Sequence, residues 1–289
     1  MPGVLYIVAT PIGNLEDISY RAVRLLREVD RIAAEDTRHT RKLLQHYQIA
    51  TPLVSYYDHN QELQGGKILD MLSQGQSIAL VSDAGTPCIA DPGYCLVRDA
   101  RAAGITVVPV PGPNAAITTL SAAGFPTDQF SFAGFPPAKE AKRRAFLRDI
   151  LPLPGTIVLY EAPHRIADTI QEIIQLFGPD QQIALGRELT KLHEEIVTGT
   201  AAQLHADLVN SERERGEFVL LIAPTRATID RQTEHDTVDQ LLRERLAAGV
   251  RLKEAVAQVA AATGLNRKEL YARALALAGS DHPSEGDTP

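Results

Sequence analysis

Through the first 110 residues, short aliphatic runs alternate with stretches in which apolar positions recur three and four residues apart. VLYIVA (4–9), RIAAE (31–35), IALVS (78–82) and ITVVPV (105–110) predict strands. The intervals 17–28, 38–46, 61–74 and 93–103 predict amphipathic helices between them. This alternation predicts a mainly parallel sheet covered by helices. PVPGPN (109–114), with three prolines and a glycine, interrupts it and sets a boundary between an N-terminal α/β domain, 1–112, and a second α/β domain, 113–228. The second domain carries strand patterns near 130–134, 156–161, 182–187 and 218–223, and a helix over 164–176 that follows EAPHR. EIVTG and EFVLLIA lie close enough in sequence to form an antiparallel element, so this sheet is expected to be mixed.

From Asp236 the chain turns to Ala, Leu, Arg and Glu without strand patterns, predicting a helical appendage over 236–278. Gly264 suits the residue just past one helix, and Asn266 with Glu269 forms a cap pair for the next, giving a helix-turn-helix outline. Leu270, Ala274 and Leu277 would face inward, leaving Arg267, Lys268 and Arg273 for a polyanion; a packing or dimerisation module is the other reading. The polar, breaker-rich end, 279–289, is expected to be disordered.

A length of 289 residues with 44% hydrophobic positions suffices for two compact domains. No apolar run approaches the roughly 20 residues of a membrane span, and the start lacks a basic region and cleavage site, so no membrane association and a cytoplasmic location are expected. Cys88 and Cys95, seven residues apart, fit neither a redox pair nor a zinc half-site and read as buried thiols. The eight histidines form no HExxH or comparable set, so no metal is expected. The net charge of -7 leaves nucleic acid open, because cations cluster locally at Arg21, Arg24, Arg27 and Arg31, at Arg38, Arg41 and Lys42, and at Lys139, Lys142, Arg143, Arg144 and Arg148. Solvated helix faces account for the same clusters equally well.

Candidate chemistry lies in the loops ATPIGNL, SDAGTP and PVPGPN, which follow predicted strands and should converge on one cleft beyond the strands' carboxyl ends. Neither a dinucleotide fingerprint nor a phosphate-binding GxxxxGK[ST] occurs. In AAEDTR, Glu35 and Asp36 stand at a strand's end; such carboxylates serve as general bases, and Asp36 serves equally well as the N-cap of a helix starting at Thr37. His164 and His193 sit near proposed loops, where hydrogen-bonded histidines are common.

Seven segments then occur in one order: YIVATPIGNLEDIS, AAEDTRHTRKLL, LVSDAGTPCIADPG, VPVPGPNAAI, AAGFPTDQFSFAGFPP, YEAPHRI and GRELTKLHEE. On these, from about Val4 to Thr225, the chain resembles the tetrapyrrole methylase superfamily and, within it, the branch acting on ribosomal RNA. The resemblance implies a class III methyltransferase fold of two α/β domains, with S-adenosylmethionine in the cleft between them. Its cofactor contacts fall on Pro11, on Asp83, Ala84, Gly85, Thr86 and Ile89, on Asn114 and Ala115, and on Glu161 and Ala223. It implies Asp36 as the base, with Glu35, Arg38, Glu161, His164 and Lys191 as candidates to orient the substrate; the basic pair Arg143 and Arg144, with Arg165 and the helical appendage, is expected to contact 16S rRNA of the small ribosomal subunit. The reaction implied is 2′-O-methylation of a cytidine ribose in the decoding region, by a homodimer. Thr86 stands where tetrapyrrole-modifying members typically carry the acid of GGDP, which points away from a porphyrin substrate. Tetrapyrrole methylation and a non-enzymatic, cofactor-binding assembly factor are the alternatives.

Overall fold

The structure, a computed structural model, describes residues 2–150, 152–210, 216–224, 238–263 and 266–280. The chain divides into one unit over 1–223 and another over 224–289.

The first unit contains two five-stranded sheets. Strands β1 (Val4–Val8), β2 (Arg31–Ala34), β3 (Leu53–Ser55), β4 (Ile78–Val81) and β5 (Thr106–Val110) pair in the order β3-β2-β4-β1-β5, all parallel. Alternating residues divide between two faces, as strand geometry requires. Ile32, Ala34, Ala79 and Val81 pack against Leu25 and Leu26 of helix α1 (Tyr20–Glu28) and Leu44 of α2 (Thr37–His46). Ala33, Ile78 and Leu80 pack on the other side, against Ile68 and Leu72 of α3 (Gln61–Ser73) and Leu96 and Ala100 of α4 (Tyr94–Ala102). Helices on both faces bury all four residues of β4, so no polar alternation marks it in the sequence. From β1 the chain crosses to β2 on one side, and from β4 it crosses over β1 to β5 on the other. That reversal opens a crevice between the loops leaving β1 and β4, where open α/β sheets bind ligands.

The second sheet, order β6-β7-β10-β8-β9, is mixed: β6 (Phe130–Gly134) runs parallel to β7 (Thr156–Glu161), whereas β10 (Phe218–Ile222) is antiparallel to both β7 and β8 (Gln182–Arg187). The antiparallel element expected between EIVTG and EFVLLIA takes another form. Strand β9 (Glu195–Thr200) and β10 each pair with β8, on opposite edges, rather than with each other. One face is covered by α6 (Glu140–Ile150), α7 (Ile166–Phe177) and α8 (Ala201–Asn210). The other packs on α5 (Ala115–Ala122) and also takes in Ile12 from the loop after β1 and Leu189 from the loop after β8, joining the two sheets through one apolar cluster. Strand β3, three residues long, and α5, whose AAITTLSA lacks an amphipathic stripe, are elements that periodicity does not announce.

In the second unit, residues 238–247 are helical, followed by helices Leu252–Thr263 and Arg267–Ser280. Leu270 and Ala274 are buried with Leu242, Val256 and Val259, and Leu277 packs against them. The Asn266 side chain accepts the Lys268 backbone N–H at 2.8 Å, an N-cap interaction. Arg273 is not available to a polyanion as expected, because its guanidinium pairs with Asp239 at 2.9 Å. Gly264, the Glu269 side chain and the tail 281–289 lie outside the described residues. Among the described residues no helix is long and apolar enough to cross a membrane.

Candidate active site

The parallel sheet sends all its strand-ending loops to one edge, and two of them lock together. The backbones of Thr10, after β1, and Gly85, after β4, exchange hydrogen bonds at 2.8 and 3.0 Å. Gly85 holds φ +78°, a conformation open to glycine at little cost. Thr86 Oγ1 donates to the Pro113 carbonyl at 3.1 Å, tying the same loop to the end of β5. From the second sheet, the loop after β8 closes against the first: Thr190 Oγ1 accepts the Asn14 N–H at 3.0 Å. A Cβ on Gly13 would come within 2.8 Å of the Leu189 carbonyl oxygen, so the approach there depends on glycine.

These loops enclose a cavity of about 420 Å³, within the range of small-molecule sites. Its apolar wall includes Ile12, Ile89, Leu189, Phe218 and Val219; Glu35, Asp83 and Asp91 supply carboxylates. Burial first, then the neighbouring Glu35 carboxylate, pushes Asp91 up to about 6. Glu35 is raised as well, chiefly by burial and then by Asp83. A second cavity of about 320 Å³ adjoins it and shares Ile12, Asp83, Ala84 and Glu217. Its own lining includes Pro11, His39, Lys42 and Lys191.

Of the expected cofactor residues, Asp83, Ala84, Gly85, Thr86, Ile89, Ala115 and Glu161 line the first cavity, and Pro11 lines the second. Asn114 lines neither; its side chain accepts the Ile117 N–H at 3.2 Å and caps α5. Ala223 is misplaced by the expectation, because β10 runs antiparallel to its neighbours and presents its beginning, Glu217 to Val219, to the cavity. Ala223 follows the strand's opposite end, where its carbonyl accepts from Gln181. Glu161 is buried, and its carboxylate is engaged by Thr169 Oγ1 at 2.6 Å, Ala162 N at 2.8 Å and Arg165 Nη2 at 2.6 Å. It therefore fixes the EAPHR turn, and Arg165, expected on RNA, serves that pair instead.

The expected catalytic set separates. Glu35 lines the first cavity, whereas Asp36 lines neither. Asp36 caps α2, its Oδ1 accepting Arg38 N at 2.7 Å, and its Oδ2 pairs with Arg38 Nη2 at 2.9 Å. The Arg38 side chain and then its backbone N–H hold Asp36 down at about 2, poorly matched to a general base near neutrality. Among the expected RNA contacts, Arg143 is corrected outright: it is buried and paired with Glu172 at 2.9 Å, beneath α6. Arg144 is partly exposed and bonded to Glu140 and Gln175, and His164 is exposed. Lys191 lines the second cavity and pairs with Glu188 and Glu217 at 2.9 and 3.2 Å. The two cysteines are half-buried, and burial pushes the Cys88 thiol up to about 11, keeping it protonated. Sequence reasoning did not pick out Asp91, Tyr160, Leu189 or Glu217 to Val219 as site residues, although each lies inside a segment already quoted: Asp91 in LVSDAGTPCIADPG, Tyr160 in YEAPHRI, Leu189 in GRELTKLHEE and Glu217 to Val219 in EFVLLIA.

Residues 4–205 match the family described as tetrapyrrole (corrin/porphyrin) methylases, and residues 232–278 match the RsmI C-terminal HTH domain. Relatives called ribosomal RNA small subunit methyltransferase I are 45% identical in Halalkalibacterium halodurans (93% of each chain), 46% in Pseudomonas aeruginosa (96% of this chain, 98% of the other) and 47% in Escherichia coli O157:H7 (96% of each). The chain belongs to the ribosomal RNA small subunit methyltransferase I family. Solved structures with this fold include a uroporphyrin-III-C-methyltransferase from Thermus thermophilus (TM-score 0.55, 22% identity, 77% of this chain and 94% of that one). Diphthine synthase is another (TM-score 0.60, 13% identity, 76% and 90%). The methyl donor in the methyltransferase I family is S-adenosylmethionine, and the first cavity fits it. Apolar walls suit the adenosine, the side-chain-free Gly85 lets backbone approach closely, and the carboxylates suit a sulfonium cation.

Proposed function

We propose that the protein transfers a methyl group from S-adenosylmethionine to the 2′-hydroxyl of a cytidine ribose in the decoding region of small-subunit 16S rRNA. The observation that carries this reading is the pair of adjoining cavities, one apolar and acidic, the other bordered by Lys42, Lys191 and His39. A cationic donor suits the first and a phosphate-bearing nucleotide the second. The relatives' names support ribosomal RNA as the substrate; the cytidine and its 2′-oxygen follow from the motif resemblance. When bound, the cofactor supplies an already activated methyl, so the chain's own task is to position, to exclude water and to take up a proton. Ile12, Leu189, Phe218 and Val219 exclude water, and the Thr10–Gly85 bridge and the Thr86–Pro113 bond hold the loop that shapes the cavity. A cytoplasmic location and a homodimer belong to the same reading.

Thr86 uses its hydroxyl on a backbone carbonyl and supplies no acid there, which favours RNA over a porphyrin. The test is transfer from labelled S-adenosylmethionine to small subunits lacking this modification, with mass mapping of nucleosides. One site of 2′-O-methylcytidine is expected. Demonstrated cofactor binding with no label in RNA would refute the reading.

A further inference from the structure

We infer that Asp83 is the proton acceptor for the reacting hydroxyl, and that the second cavity seats the target nucleotide against it. The inference rests on the proposed reaction and deepens it.

The attacking hydroxyl must meet the donor methyl where the two cavities join, and its base must lie within hydrogen-bond reach of that hydroxyl, so the wall the cavities share is the place to look for it. Two carboxylates stand there, Asp83 and Glu217. Glu217 is bonded to Lys191 Nζ at 3.2 Å and is largely exposed. Asp83 has no cation partner among the described residues: its Oδ1 accepts the Asp36 N–H at 2.9 Å, and its other oxygen has no hydrogen bond there. Its backbone is fixed between buried β4 and the bridged Gly85. Glu35 and Asp91 face the first cavity alone. Around the second cavity, Lys42 and His39, both on α2, and Lys191 opposite them provide donors suited to a nucleotide's phosphate. In the step assigned, the ribose oxygen forms a bond to the methyl carbon as the carbon–sulfur bond breaks. The bonding pair stays on sulfur, leaving a neutral thioether, and the hydroxyl proton passes to Asp83.

Asp83→Asn is the informative variant, because the amide oxygen can still accept the Asp36 N–H. Single-turnover transfer to small subunits lacking the modification, at saturating S-adenosylmethionine, is to be compared with Asp36→Asn and wild type, with cofactor affinity measured by calorimetry. At saturating S-adenosylmethionine, Asp83→Asn should lose about 10²–10⁴-fold in single-turnover rate, with cofactor binding weakened but still measurable because one carboxylate of the cavity has been neutralised. Lys42→Ala should weaken RNA binding and lower its salt slope by about 1. A rate for Asp83→Asn within about tenfold of wild type, a larger loss in Asp36→Asn, or loss of cofactor binding in Asp83→Asn would each overturn the assignment. Wild-type protein that binds cofactor but methylates no RNA would overturn the proposed function, and the inference with it.

Discussion

Removing the Arg143 guanidinium should destabilise the first unit severely while leaving RNA electrostatics untouched. The Arg143 and Glu172 side chains are 5% and 4% exposed, and their contact at 2.9 Å joins α6 to α7. Among the described residues, Arg143 Nε and Glu172 Oε2 have no hydrogen-bond partners, so the pair is imperfectly compensated there even when intact. Arg143→Ala leaves a buried carboxylate without its cation, a change that costs about 3–5 kcal/mol. The carboxylate can escape by taking up a proton, but holding an ordinary glutamate neutral at pH 7 itself costs about 4 kcal/mol, so the two routes agree in size. At roughly 2–4 °C per kcal/mol, the melting transition should fall by about 6–20 °C. The loss should shrink toward pH 5, where neutralising the acid is easier. Replacing both residues, as Arg143→Met with Glu172→Leu, should recover most of the loss, because the uncompensated charge has gone. Thermal unfolding of the three variants at pH 5 and 7 measures this, and filter binding checks that the salt slope for RNA is unaltered in Arg143→Met with Glu172→Leu. A shift in Arg143→Ala of less than about 1 kcal/mol, or no recovery in the double variant, would refute the buried-pair reasoning.

Three further outcomes are expected. Affinity for S-adenosylmethionine should rise as pH increases through about 6, because Asp91 ionises there and its charge favours a cation; calorimetry between pH 5 and 8 should show a flatter response in Asp91→Asn. In the unliganded protein, Asp91 is raised above the usual value near 4, so its contribution to stability is fully present below that value and is lost as pH rises through about 6. Asp91→Asn should remove that loss, which urea midpoints at pH 5 and 7.5 will show. Gly13→Ala should lower stability by about 1–3 kcal/mol and weaken cofactor binding, since its methyl would meet the Leu189 carbonyl and Thr190; an unchanged urea midpoint would count against that close approach.

Much of this fold is legible in the sequence because burial follows period. In the first sheet, β-rich runs and helical spacing sit where parallel strands and covering helices form, and all four anticipated strands match within a residue at each end. The elements that periodicity does not announce are those lacking contrast: β3 is too short to show alternation, and α5 is apolar along most of its length. The same limit applies to charge. KRR in α6 reads as a basic face, yet the helix turns Arg143 inward to Glu172 while Arg144 stays near the surface, a difference of one residue that a helix converts into roughly 100° of rotation.

The site divides along a different line, between what a motif names and what strand direction decides. Loops following parallel strands converge without needing a structure to show it, so SDAGTP was expected at the cleft, while its individual contacts from Asp83 to Ile89 came from the motif resemblance. For β10 the resemblance placed a contact at Ala223, but an antiparallel strand brings its first residues to the edge where its neighbours finish, and so Glu217 to Val219 line the cavity. The acids follow the same logic. Glu35 and Asp36 are adjacent in sequence, but β2 ends between the cavity and a helix start, so Glu35 turns into the cavity and Asp36 caps α2. Across the sheet, β4 delivers Asp83 to the Asp36 N–H and to both cavities. The carboxylate suited to move a proton is thus the one lying on the wall between two ligands, a position set by strand order and not by spacing along the chain.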